Sequence, residues 1–319
     1  MFCAFAEDED ENIINYIPGV SALKITDLPS YFQELDVSSR THEILYEAFQ
    51  SVRGADWIIS NTVEDLEIRT IAELQLGKPF WSVGPLLPSA FQKDINNETS
   101  QTNMRPESDC SRWLDSKPQN SVIYISFGSY AHVSRAQIEE VAIGLLESKQ
   151  PFIWVLRPDI IASGIQDILP VGFMEETKDQ GLVVQWSSQL EVLSHPSVGG
   201  FLTHCGWNSI LESLSFGVPM LAFPLFTDQF TNRWLIVKGW GVAMNLGGSS
   251  RSFQNCKTLV GREEIARTLK KFMDEEEGRK MRLKIEPIRE VTTKAVMDRG
   301  ASDKNLDLFI EALTAKIRT

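Results

Sequence analysis

The chain is short of several things that would otherwise define its chemistry. Its 319 residues hold only four cysteines, Cys3, Cys110, Cys205 and Cys256, far apart and without a C-x-x-C pair. That spacing argues against a disulfide framework or a zinc site and fits reduced thiols in a cytosol-like compartment. Positive charge is in deficit: 31 Lys and Arg face 43 Asp and Glu, a net charge of −12. Such a chain repels nucleic acid and anionic membranes, so any anionic ligand must be held by local dipoles. No apolar run is long enough to span a bilayer. The opening "MFCAFA" lacks a basic flank and runs straight into "EDEDEN", unlike a signal peptide. A cytoplasmic protein without stable membrane insertion is expected. Histidine is scarce too: His42, His132, His195 and His204 are the whole supply.

What is present looks globular. Hydrophobic residues make up 43% and charged residues 23%, and the length suits about two domains. Residues 1–88 carry the apolar runs "WIISN" and "FWSVG", which read as buried strands between Pro- and Gly-containing turns. Residues 89–109 lose hydrophobic periodicity and read as an interdomain linker. From 110 to 300 short β-branched runs ("SVIYISFGS", "PFIWVLR", "GLVVQW", "VGGFLTHC", "PMLAFPL") alternate with amphipathic helices. That alternation calls for a doubly wound parallel sheet with strands buried on both faces, an α/β domain. Residues 301–319 read as a C-terminal helix packing back toward the first domain.

The polar stretch "HCGWNS", residues 204–209, stands where a strand hands over to the helix "WNSILESL". In a doubly wound sheet ligands bind at such carboxyl ends, and the free N–H groups of a helix start suit a phosphate or diphosphate. Gly206 allows close backbone approach, Asn208 and Ser209 can cap or donate, and His204 adds a donor. Glu212, one turn on, can accept from a pair of sugar hydroxyls. Taken singly, each of these residues is as readily a cap or a core contact; their grouping is what points to a ligand.

The stretch from Trp186 to Gln229 resembles the signature box of plant secondary-product UDP-glycosyltransferases: Trp first, Gln fourth, "HCGWNS" in the middle, Asp-Gln last. "NTVEDLE" at 61–67 and "SFGS" at 126–129 follow the same family's order. The resemblance implies two Rossmann-like domains of the GT-B type, the first truncated here and the second complete. It implies metal-independent, inverting transfer of glucose from UDP-glucose to a hydroxyl of a small lipophilic acceptor such as a flavonoid, phenol or alcohol. UDP-glucose would be a co-substrate, with no further cofactor. By the same resemblance Trp186 stacks on uracil, with Ser187 and Gln189 near the uridine, and Glu212 holds the ribose. Ser129, His204, Gly206, Asn208 and Ser209 surround the diphosphate, and Trp207, Asp228 and Gln229 face the sugar, the glutamine favouring glucose over galactose. Ser188 departs from the family, which has proline there, and a looser turn is expected.

The resemblance implies a catalytic base, a histidine oriented by an aspartate, early in the first domain, in the part expected to be missing here, and none of the four histidines occupies its place. No catalytic residue is therefore assigned. Asp8-Glu9-Asp10 has the letters of a metal-binding D-x-D but lies in an acidic run with no strand before it; a solvated tip is expected, and no metal. A donor-binding module without activity of its own remains a second reading. A nicotinamide oxidoreductase is a third, disfavoured because "SFGSYAHVS" stands where G-x-G-x-x-G is needed.

Overall fold

The structure, a computed structural model, describes residues 13–34, 40–88, 91, 110–128, 133–157, 169–247 and 258–318. Asp8–Asp10, Ser129, His132 and the proposed linker apart from Phe91 lie outside the described residues.

Residues 110–300 are organised by six strands: β5 (Val122–Ser126), β6 (Phe152–Val155), β7 (Gly181–Val184), β8 (Val198–Thr203), β9 (Met220–Ala222) and β10 (Ala243–Asn245). They form one all-parallel sheet in the order β10-β9-β8-β5-β6-β7. Side chains alternate between faces along each strand. Ile123 and Ile125 join one apolar cluster with Trp154, Leu202 and Leu221; Tyr124 joins another with Ile153, Phe201 and Met220. Helices cover both clusters. Arg135–Ser148 and Arg262–Met273 pack on the first, whereas Cys110–Asp115, Gln189–Ser194 and Trp207–Phe216 pack on the second. With both faces covered, the strands need no polar alternation, which is why they read as continuous apolar runs.

Chain order moves outward from β5 through β6 to β7, then returns to β8 and moves outward the other way. The β5/β8 boundary is therefore the switch point, where the two flanking connections diverge and leave a crevice at the strands' carboxyl ends.

The earlier part is thinner. β1 (Ile13–Ile14) and β2 (Leu23–Lys24) form an antiparallel pair, and β3 (Ile58–Ser60) and β4 (Phe80–Ser82) a parallel one. Helices Arg40–Gly54 and Ile68–Gly77 accompany them. The expectation that "WIISN" is a buried strand fails: Ile59 is 50% exposed. A two-stranded pair has no second layer on that side to exclude water. Helix Ala301–Ile317 packs against β4, where Asn305 Nδ2 donates to Ser82 O at 3.0 Å and Phe309 meets Trp57 and Trp81 edge-on. Phe91 is buried, its ring set edge-on to Phe216. Among the described residues no helix is long and apolar enough to cross a membrane.

Candidate functional site

Four strands deliver their carboxyl ends to one crevice. Gly128 follows β5, Trp186 follows β7, His204 follows β8, and Asp228 follows β9. At the switch point itself the His204 ring is clasped by two glycines. A Cβ on Gly128 would lie 2.5 Å from its Nε2, and one on Gly206 would lie 2.4 Å from the same atom. Gly128 also has φ of +75°, a conformation that side chains disfavour. Both positions thus require glycine if the imidazole is to stay where it is. Burial pushes the His204 pKa down to about 4, against smaller raising effects from the Ser126 backbone and the Asp228 charge. The ring is neutral at pH 7, and its Nδ1 is buried without a hydrogen-bond partner.

Cys205 turns the chain from strand to helix with φ of +66°, held by its own N–H to Thr203 Oγ1 at 3.2 Å and by Asn232 Nδ2 to its carbonyl at 3.0 Å. The helix Trp207–Phe216 begins on Gly206 with no side-chain cap. The capping role open to Asn208 and Ser209 is therefore not used. Ser209 Oγ instead accepts from Gln189 Nε2 at 3.0 Å, and Asn208 Oδ1 accepts from Asn61 Nδ2 at 3.0 Å. The first N–H groups of this ten-residue helix are left for a ligand or water.

Gln189 links the far side of the crevice to the same helix. Its Nε2 also donates to Glu212 Oε2 at 2.6 Å, and its Oε1 accepts from Tyr124 Oη at 3.4 Å. Tyr124 Oη lies 3.1 Å from Ser187 Oγ, and both side chains are buried. These bonds tie the segment after edge strand β7 back to the sheet, and Trp186 at its start is 40% exposed. Burial raises the Glu212 pKa and the Gln189 bond opposes it. Ser188, where the family has proline, has φ of −70°. That is the φ a proline ring fixes, so the turn keeps its shape without it.

At the other end, Asp228 is exposed; its carboxylate accepts from Thr227 Oγ1 at 2.9 Å and Asn232 Nδ2 at 2.8 Å. Gln229 is buried and its Oε1 accepts from the backbone N–H groups of Leu225 and Phe226, at 2.9 and 3.1 Å. That carbonyl shapes the loop, and only its amide nitrogen remains for another partner. Trp207 donates its Nε1 proton to Asn61 O at 2.6 Å, and its ring packs against Trp240. Its indole is thus committed to protein on both counts.

Residues outside the sheet domain close this end, and sequence reasoning did not find them. Ser30 N–H donates to Thr227 O at 2.8 Å and Ser30 Oγ accepts from Thr227 N–H at 2.9 Å. Thr231 Oγ1 donates to Asp27 O at 2.7 Å, and Asp27 pairs with the buried Arg233. Asn61 was visible in "NTVEDLE", but nothing local signals its contacts with residues 146 and 147 positions away.

Of the other described histidines, one stands at the far end of the sheet and one in the earlier segment. His195 precedes β8 and pairs with Asp115 at 3.2 Å, so it stands at the opposite end of the strand from His204. His42 places Nε2 2.7 Å from Tyr31 O. Among the described residues no group of three His, Cys, Asp or Glu could hold a metal ion.

Comparison with known proteins adds to this geometry. The family model for UDP-glucoronosyl and UDP-glucosyl transferase matches residues 31–269. UDP-glycosyltransferase 86A1 of Arabidopsis thaliana is 42% identical over 317 residues, 98% of this chain and 61% of that protein. The 7-deoxyloganetin glucosyltransferase of Catharanthus roseus is 35% identical over 96% of this chain and 61% of its own length. Among solved structures, Phytolacca americana UGT2 complexed with UDP-2fluoro-glucose and pterostilbene superposes with a TM-score of 0.82 at 35% identity, covering 98% of this chain and 66% of that one. The chain spans about three fifths of the length of these curated relatives. Its sheet is that of the GT-B fold, and the chain belongs to the UDP-glucoronosyl and UDP-glucosyl transferase family.

Proposed function

We propose that the crevice at the β5/β8 switch point binds a UDP-sugar and serves the donor half of a glucosyl transfer. The observation that carries this reading is the convergence of three groups on one helix start: the exposed Trp186 ring, the Gln189-bound Glu212, and the neutral His204 beside free helix N–H groups. Trp186 offers a stacking face to uracil, with Ser187 and Gln189 beneath it. Glu212 accepts from the ribose hydroxyls. His204, Gly206, Asn208 and Ser209, with Ser129 outside the described residues, surround the diphosphate, where the helix dipole favours negative charge. Asp228, the amide nitrogen of Gln229 and the backbone of Trp207 take the sugar, and two polar groups on adjacent hydroxyls favour glucose over its galactose epimer. This reading divides the chain into an acceptor-side segment at 1–88, a linker at 89–109, a donor domain at 110–300 and a returning helix at 301–319.

In the proposed reaction an acceptor hydroxyl of a phenol, flavonoid or alcohol attacks the anomeric carbon. The new C–O bond forms on the face opposite the leaving group, so configuration inverts. The bond to the diphosphate breaks and its electron pair leaves on UDP, whose growing charge His204 and the helix N-terminus stabilise. The hydroxyl proton passes to a general base on the acceptor side of the crevice. Among the described residues the one His–Asp pair, His195–Asp115, stands at the wrong end of the sheet. That observation favours, as a second reading, a chain that binds donor without turning it over.

Calorimetry tests the donor reading. UDP is expected to bind more tightly than ADP, and UDP-glucose more tightly than UDP-galactose. Equal binding of UDP and ADP sinks the assignment of Trp186 and Glu212 to uridine.

A further inference from the structure

The donor residues are all on the sheet domain, yet one of them is oriented from outside it. We infer that Asn61 is a positioning residue for the donor diphosphate, acting by fixing which end of the Asn208 amide faces the anion. The inference rests on the diphosphate reading of the crevice and extends it to the segment before the sheet.

A chain of obligate donors sets the two amides. Leu86 N–H can only donate, and it donates to Asn61 Oδ1 at 3.0 Å. The Asn61 carbonyl oxygen is thereby committed, so its NH₂ group must face the other way, where it meets Asn208 Oδ1 at 3.0 Å. An NH₂ group can only donate. Asn208 is therefore forced to present its oxygen to Asn61 and to turn its own NH₂ the other way, the end that in the diphosphate reading meets the anion. A phosphate oxygen can only accept from such a group, so the orientation that Asn61 imposes is the productive one. The opposite orientation would set a carbonyl oxygen against an anion.

Asn61 is itself held firmly enough to do this. Its main-chain carbonyl accepts from Trp207 Nε1 at 2.6 Å. On the other side Gly84 packs so closely that an added Cβ would lie 2.5 Å from Asn61 Oδ1 and 2.7 Å from Thr62 N. A neighbour with a side chain would displace the amide. The glycine at 84 and the backbone N–H at 86 thus set Asn61, and Asn61 sets Asn208. Neither Asn61 nor Leu86 touches the donor in this scheme.

Two substitutions read this out, each measured with UDP and with uridine. Asn61→Asp is isosteric and keeps the Leu86 bond, but its second oxygen demands the Asn208 NH₂ and reverses that amide. It is expected to weaken UDP about tenfold or more. Asn61→Ala removes the constraint without adding charge, and a loss of several-fold is expected. Uridine, which has no phosphate, should bind both variants as it binds the parent, and thermal melting should show both folded. If Asn61→Ala weakens UDP and uridine equally, Asn61 is merely structural and the inference falls. If it leaves UDP unchanged, the inference falls as well. A parent protein that binds UDP no better than uridine would instead overturn the diphosphate reading itself, so the two failures are distinguishable.

Discussion

Strand β5 and strand β3 are built from the same kinds of residue and meet different fates. All five residues of Val122–Ser126 are buried, whereas the middle residue of Ile58–Ser60 is half exposed. The contrast extends to the helices around them. In the sheet domain Ile138, Val141 and Leu145 are buried; in the earlier segment Ile44, Tyr46, Phe49, Val52, Leu74 and Leu76 are exposed. Both large apolar clusters draw their buried members from residue 110 onward. The earlier segment adds Leu66 at the margin of the second cluster and is otherwise joined to the sheet domain by particular polar contacts: Asp27 with Arg233, Ser30 with Thr227, and Asn61 with Trp207 and Asn208. One region is thus stabilised chiefly by burial and the other by docking, and its polar contacts with the sheet domain gather beside the proposed donor crevice.

The largest expected effect tests this contrast with one substitution made twice. Ile125→Ala should cost about 2–5 kcal/mol, a full core truncation. Ile59→Ala should cost under about 1 kcal/mol, as at an exposed site. Urea unfolding of the two variants side by side measures both. Equal costs would mean that the surface at Ile59 is covered in solution.

Next comes the docking itself. Asp27→Ala takes the carboxylate partner from Arg233, whose side chain is only 4% exposed. Breaking a buried pair from one side costs about 3 kcal/mol or more. Hydrogen exchange should rise at residues 25–34 and stay low in β5. Parallel loss of protection in both places would make the two regions one cooperative unit.

A pH series separates them further. Burial holds the folded pKa of His204 at about 4, below the ordinary histidine value of 6.5. Between those values the unfolded state binds more protons, so stability rises with pH. The contribution is complete above pH 6.5 and is lost as pH falls toward 4, up to about 3 kcal/mol. Glu212 and Glu67, both raised by burial, act in the opposite sense from pH 4.5 upward. The quantity to compare is therefore the slope for the parent against His204→Asn, and a shared slope would remove His204 as its cause.

The smallest effect belongs to the surface of the crevice. Trp186→Ala should weaken UDP by about 1–3 kcal/mol, the worth of a stacking platform. Because the ring is 40% exposed, thermal stability should hardly move. A large drop in stability would reassign Trp186 to packing.

Much of this was legible in the residues. The runs that became β5, β6, β8 and β9 are short, apolar and bounded by turns, and both faces of each are indeed covered. "HCGWNS" announced a strand-to-helix turn, and the structure places Cys205 in the left-handed region there. Other features escaped. The three-residue strand β10 is too short to carry a period. Gln229 is expected by resemblance to face the sugar, and its carbonyl is spent on two backbone N–H groups that no local pattern signals.

The order of residues settles local matters: which runs are apolar enough to be buried, where the chain must turn, and which polar residues cluster at one helix start. Hydrophobic period, glycine and proline act over a few residues, so they can be read from a single string. Only the tertiary structure decided which of those polar groups keep a free donor or acceptor. Asn208 and Asn61 are 147 positions apart, and the Leu86 N–H that orients the pair is 25 from Asn61. A hydrogen bond is satisfied by whatever group arrives within about 3 Å in the folded chain, and no local pattern records that arrival.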